Sequence, residues 1–216
     1  MRVMWRWALG VLILLATTWP ALAQSRPALA ITLPARDSLA LLGPTISAAR
    51  VFGDKPIREL LDYGFPARLH FRVELWSTAG WFDRSLRSTE WDVVLRYDPV
   101  QAMFEAVRVI GDVATPLGMF RTLADAAAEV ERPYRPAIAA RPRRSDQYYN
   151  VVLELEMLSV SDLDELQRWV RGDLSPAVRG DRNPGTALSR GARTLLSRLL
   201  GGERRTLEIR SARFAL

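Results

Sequence analysis

Ala67-Arg68-Leu69-His70-Phe71-Arg72-Val73-Glu74-Leu75 alternates apolar and polar side chains without a break. Successive residues of an extended chain point to opposite faces, so this stretch reads as a strand with one face in a core and one in water. The pattern returns twice. Trp91, Val93, Leu95 and Tyr97 alternate with Asp92 and Arg96, and Tyr149, Val151, Leu153, Leu155 and Met157 alternate with Asn150, Glu154 and Glu156. Parallel strands buried on both faces are apolar throughout; three half-polar strands therefore predict antiparallel sheet.

Working outward, Asp98-Pro99-Val100-Gln101 reads as a turn that leads into a strand at Met103 to Ile110. Weaker strands are expected at Ala28 to Leu33, Thr45 to Phe52 and Thr206 to Phe214. About four short helices punctuate them. The first follows Asp54 as its cap, buries Ile57, Leu60 and Leu61 and ends before Gly64, and the second runs from Thr122 to Glu131 before Pro133. Ser161 to Gly172 carries acids in its first turn and arginines in its last, as the helix dipole favours. Thr186 to Leu200 is amphipathic, with Leu188, Leu195, Leu196 and Leu199 opposite Arg190, Arg193 and Arg198. The fold class expected is mainly β with helices (α+β): an antiparallel β-sandwich or curved sheet with the helices packed on it.

Residues 1–23 read as an address. Arg2 and Arg6 precede an apolar run from Trp7 to Trp19, and Ala21-Leu22-Ala23 has the small residues of a signal peptidase site. The run is too short for the ~20 residues that a spanning helix needs, so a cleaved Sec signal is expected, with an uncleaved anchor as the alternative. The mature chain, residues 24–216, is expected to be a single exported, periplasmic or extracytoplasmic β-rich domain ending in the basic helix and a final strand.

Composition excludes several chemistries. The 216 residues contain no cysteine and one histidine, which removes disulfides, thiolate nucleophiles, Cys-ligated metals and multi-histidine metal sites. Neither a phosphate-binding glycine loop nor a dinucleotide fingerprint is present, so no cofactor is expected. His70 lies between Arg68 and Arg72 on the polar face, and no nucleophile elbow accompanies it. Glu74, Glu90, Asp92 and Asp98 would be the acids of a carboxylate-based hydrolase, yet arginines alternate with them, and cross-strand ion pairing accounts for that arrangement. No catalytic or metal-binding residue is therefore assigned.

Two surfaces stand out instead. Trp76, Trp81 and Phe82 fall in a segment from Trp76 to Thr89 that reads as a loop between two long strands, where aromatics form partner hot spots. From Arg179 onward nine arginines face only Asp181, Glu203 and Glu208, so Arg190, Arg193 and Arg198 offer a basic face to an anionic membrane surface. Export argues against nucleic acid as the partner of that face.

Leu60-Leu61-Asp62-Tyr63-Gly64-Phe65-Pro66 before an alternating strand, Gly80-Trp81-Phe82-Asp83, and Leu95-Arg96-Tyr97-Asp98-Pro99 together resemble the uncharacterised bacterial domain-of-unknown-function family 4390. The resemblance covers about Pro56 to Leu158. It implies an exported protein of unknown activity with no catalytic residues to carry over. Because proteobacterial members are often encoded near a membrane sensor kinase, it also implies an envelope protein partner and a role in envelope signalling. The leading expectation is thus a non-enzymatic envelope protein that binds a protein partner or ligand. Peripheral membrane attachment is second, and a carboxylate hydrolase third.

Overall fold

A computed structural model of the chain describes residues 26–79, 81–142, 145–158 and 205–216. Among these residues eight strands form two antiparallel sheets, neither of them closed. In chain order they are β1 (Ala28–Thr32), β2 (Thr45–Ala49), β3 (Ala67–Ala79), β4 (Phe82–Asp98), β5 (Met103–Ile110), β6 (Val113–Phe120), β7 (Gln147–Met157) and β8 (Arg205–Arg210). The helices are α1 (Leu39–Leu42), α2 (Lys55–Asp62) and α3 (Leu123–Val130). β1 pairs with β2, and the other six lie in the order β6-β5-β4-β3-β7-β8. The three alternating stretches are thus the three central strands.

Register explains why alternation marks them. Leu69 faces Val93 on one side and Leu155 on the other, and Phe71 faces Trp91 and Leu153. Every apolar member of the three patterns therefore falls on one face. Ile57 and Leu61 of α2, Ala126 and Val130 of α3, Ile46 and Ala48 of β2, and Ile138 cover that face in a single core. Phe71 and Trp91 stack at 4.8 Å between ring centres, which adds about 0.5–1.5 kcal/mol to the area that they bury.

Thr122 caps α3. Thr122 accepts a hydrogen bond from the Asp125 amide at 3.1 Å and its hydroxyl donates to the Asp125 carboxylate at 2.7 Å. α2 ends in a Schellman arrangement, Phe65 N–H to Leu60 C=O and Gly64 N–H to Leu61 C=O, both 2.9 Å, with Gly64 at φ +89°.

Several expectations need correction. Among the described residues there are three α-helices rather than about four, and α1 was not foreseen. The helices expected at Ser161 to Gly172 and Thr186 to Leu200, and the signal segment, lie outside the described residues. Asp54 makes no side-chain cap and pairs with Arg205 of β8 instead. β6 was not anticipated, because Pro116 and Gly118 interrupt it. Both are tolerated because β6 is an edge strand and Leu117 is the extra residue of a bulge opposite Ala106 and Val107. Most consequential for function, the segment from Trp76 to Thr89 is not a loop: β3 and β4 continue through it as a hairpin.

Tyr149 anchors the 134–140 segment over the core. Its ring is fully buried, stacks on Phe214 at 5.6 Å, and its hydroxyl donates to the Ile138 carbonyl at 2.9 Å. Burial pushes its ionisation well above the ordinary tyrosine range. A group whose folded pKa is raised stabilises the fold below its unfolded pKa, about 10, and loses that contribution as pH rises through the folded value. Tyr149→Phe should therefore cost about 1–3 kcal/mol at pH 7 by leaving a buried carbonyl unpaired. In urea titrations its deficit against the wild type should shrink above pH ~10. A deficit constant with pH would show that the hydroxyl carries no such linkage.

Candidate functional site

The six-stranded sheet is stepped. β5 pairs with β4 only from Asp92 to Asp98, whereas β3 pairs with β4 all the way from Ala67 to Ala79. On the other side β7 accompanies β3 as far as Ser77. From Phe82 to Glu90, β4 thus has β3 on one side and, among the described residues, no strand on the other. This stretch is exposed throughout except at Leu86 and Thr89, which are half-buried.

Only residues 80 and 81 connect the two strands. Trp81 is 97% exposed and Phe82 85%, so two large aromatic side chains project from the end of the hairpin. Trp76, expected beside them, lies elsewhere. Its ring stacks on Tyr148 of β7 at 6.4 Å and its indole N–H donates to Glu74 at 3.1 Å. The structure therefore brings Trp81 and Phe82 together at the tip and places Trp76 at the root.

That root is braced. The Tyr148 hydroxyl reaches across β3 to donate to Asp83 at 2.8 Å, and the Arg210 guanidinium sits 5.8 Å from the Tyr148 ring centre. Burial, and then the hydrogen bond to the Asp83 carboxylate, raises the ionisation of Tyr148, so it stays a donor at neutral pH. Behind the hairpin, Thr78 N–H donates to the Asp146 carbonyl at 2.8 Å, and the Ser77 and Ser145 hydroxyls lie 2.6 Å apart. Aromatics exposed on a strut fixed in this way need little further ordering to bind, which lowers the entropic cost of association.

A bulge decides what else the hairpin presents. Leu75 pairs with Arg87 and Trp76 with Ser85, so Leu86 is an extra residue of β4. Arg87, opposite Leu75, and Arg84, opposite Ser77, consequently share the core-side face although they are three apart in sequence. Both are exposed, and neither makes an ion pair among the described residues.

The opposite face of the central strands is charged and largely self-neutralised. Arg68 makes a two-pronged bridge to Asp92, at 2.9 and 3.0 Å, and approaches Glu156 at 3.9 Å. His70 places Nδ1 2.9 Å from the same Asp92 oxygen and Nε2 3.8 Å from Glu90. Burial disfavours the Asp92 carboxylate, but hydrogen bonds from His70 and Arg68 outweigh that and hold its pKa below the usual range. Of the acids weighed for hydrolysis, Asp92 and Glu90 meet basic side chains across the β3–β4 pair as expected, whereas Glu74 and Asp98 find partners mainly within their own strand and turn. Glu74 receives Trp76, Asn150 at 3.4 Å and Arg72 at 3.6 Å, and Asp98 accepts the Val100 and Gln101 amides of its turn. Among the described residues no three His, Asp or Glu side chains are grouped to hold a metal ion. Arg190, Arg193 and Arg198 lie outside the described residues.

Arg84, Arg87 and the Tyr148–Asp83 brace were not singled out by sequence. The interval Arg84-Ser85-Leu86-Arg87 has no strand period of its own, since the bulge shifts the alternation by one. Only a partner register reveals which face each arginine takes.

These features define a mainly β, cysteine-free protein with an internally paired charged face and a projecting aromatic hairpin. The chain belongs to the family described as Domain of unknown function (DUF4390), whose model matches residues 48–170, from β2 to beyond β7. The resemblance read over Pro56 to Leu158 falls inside that span. No curated protein and no solved structure matches the chain. Among the described residues, no helix is long and apolar enough to cross a membrane.

Proposed function

We propose that this protein is an exported, non-enzymatic envelope protein that docks a protein partner through the β3–β4 hairpin tip, as part of envelope signalling. The observation that carries the reading is the near-complete exposure of Trp81 and Phe82 on a braced hairpin. Keeping two large aromatic rings in water forgoes roughly 1.5–3 kcal/mol for a side chain the size of Phe82 alone, relative to burial. A partner that covers the rings recovers that energy. The signal-like residues 1–23 support export. With no cysteine in the sequence, the fold needs no disulfide, and an oxidising compartment is compatible with it. Engagement of Asp92 and Glu74 by Arg68, His70, Trp76 and Arg72 favours binding over carboxylate hydrolysis.

The test places a photoreactive residue at Trp81 and, as a control, at Val100, which is 92% exposed in the β4–β5 turn at the other end of the sheet. Crosslinking in intact envelopes should yield one defined product from position 81 and none from position 100. With that partner purified, the double variant W81A/F82A should weaken Kd about 30-fold or more, since truncating an aromatic hot spot costs 2 kcal/mol or more. Equal products from both positions, or an unchanged Kd, would remove the tip as the docking element.

A further inference from the structure

Among the described residues β4 has an open edge, and a role for it rests on the reading of this protein as a binding module. A strand without a neighbour presents N–H and C=O groups that accept an added strand. Here the vacancy has definite ends. β5 occupies the position beside β4 from Asp92 onward, so a strand added along Phe82 to Glu90 would lie in line with β5, ending near Ile110. Nine residues at about 3.4 Å each give room for one strand of ordinary length, roughly 30 Å.

Side chains select what fits. Sheet edges left bare are commonly protected by charge, and Arg84 and Arg87 are exposed on one face of this one without a carboxylate partner among the described residues. On the other face the acids are already committed, Asp83 to Tyr148 and Glu90 towards His70 at 3.8 Å. A hydrogen bond from a neutral hydroxyl leaves Asp83 charged, so the charges divide by face, and the face that carries Arg84 and Arg87 is positive. Directly opposed unlike charges stabilise a strand pair and like charges destabilise it.

We propose that the edge from Phe82 to Glu90 receives an extended acidic peptide segment by β-strand addition, with carboxylates at alternate positions opposite Arg84 and Arg87. Main-chain hydrogen bonds to β4 supply affinity, and the two arginines supply selectivity. The aromatic tip lies at one end of this track, so a partner can engage both.

The probes are two eight-residue peptides, one alternating threonine with glutamate and the other threonine with lysine. The readout is amide hydrogen exchange of the full chain. The glutamate peptide should slow exchange across residues 82–90 and leave β6 unaffected, and the lysine peptide should not. R84E/R87E, both changes at exposed positions, should weaken the glutamate peptide at least tenfold and admit the lysine peptide. W81A, outside the edge, should still show protection by the glutamate peptide, which separates this edge from the tip. Equal protection by both peptides, or none at residues 82–90 with either, overturns the proposal. Protection that grows with protein concentration alone also overturns it, because a second copy would then be the occupant.

Discussion

Asp92→Asn should destabilise the fold by about 2–4 kcal/mol at pH 7, mainly because Arg68 loses its two-pronged carboxylate partner in a largely buried setting. The Arg68 side chain is only 11% exposed. Neither an amide nor a rotated His70 replaces a two-pronged ion pair. Asp92 itself is 23% exposed, and that residual solvent access keeps the expected loss in the lower part of the range for buried pairs. The pH dependence has a definite sign. Because the folded pKa of Asp92 is lowered, its contribution is complete above the unfolded carboxylate value of about 4. The contribution disappears as pH falls through the folded value. Urea midpoints of wild type and variant should therefore differ widely at pH 7 and converge towards pH ~2. A difference that stays constant over that interval would show that packing, not charge, holds the cluster.

Gly43→Ala should cost about 3 kcal/mol or more and lower Tm by roughly 6–12 °C. Gly43 ends α1 at φ +67° and ψ −173°, a combination essentially reserved to glycine. A β-carbon there would also sit 2.5 Å from the Ile138 carbonyl oxygen and 3.0 Å from its carbon. The obstacle is backbone and is pinned on both sides. Ala140 N–H donates to Leu39 C=O at 3.1 Å, and Tyr134 exchanges two bonds of 2.8 Å with Ile46. Gly111→Ala is the control. Its φ is +57°, but a β-carbon there meets nothing within 4 Å, so only the left-handed conformation is charged, at about 1–2 kcal/mol. Thermal melts of the two variants that coincide would show that the approach to Ile138 relaxes freely.

The sheet was legible wherever one face met the core and the other met water. β5 matches its expected bounds, and the three central strands were recognised from alternation that the register then explains. Alternation failed where both faces are wet. Phe82-Asp83-Arg84-Ser85-Leu86-Arg87-Ser88-Thr89 has no apolar side to reveal it, so it read as a loop and its aromatics as loop aromatics. β6 failed for a different reason: proline argues against a central strand, and an edge with a bulge lifts that prohibition. The exposure of Trp81 and Phe82 was legible because large aromatics are conspicuous in a polar stretch. The brace was invisible because Tyr148 and Asp83 are 65 residues apart and meet only across β3.

Leu86, the extra residue of the β4 bulge, limits how this hairpin can change in length. Removing it would restore plain alternation and keep every face, with Arg84 and Arg87 then two apart, whereas adding one residue beside it would exchange the faces of everything between it and the turn, carrying Asp83 away from Tyr148 and parting Arg84 from Arg87. Adding or removing a pair of residues on each strand beyond Asp83 and Thr78 would keep every face and merely move Trp81 and Phe82 outward or inward. The tip can thus be lengthened or shortened without turning any side chain over, but only in even steps.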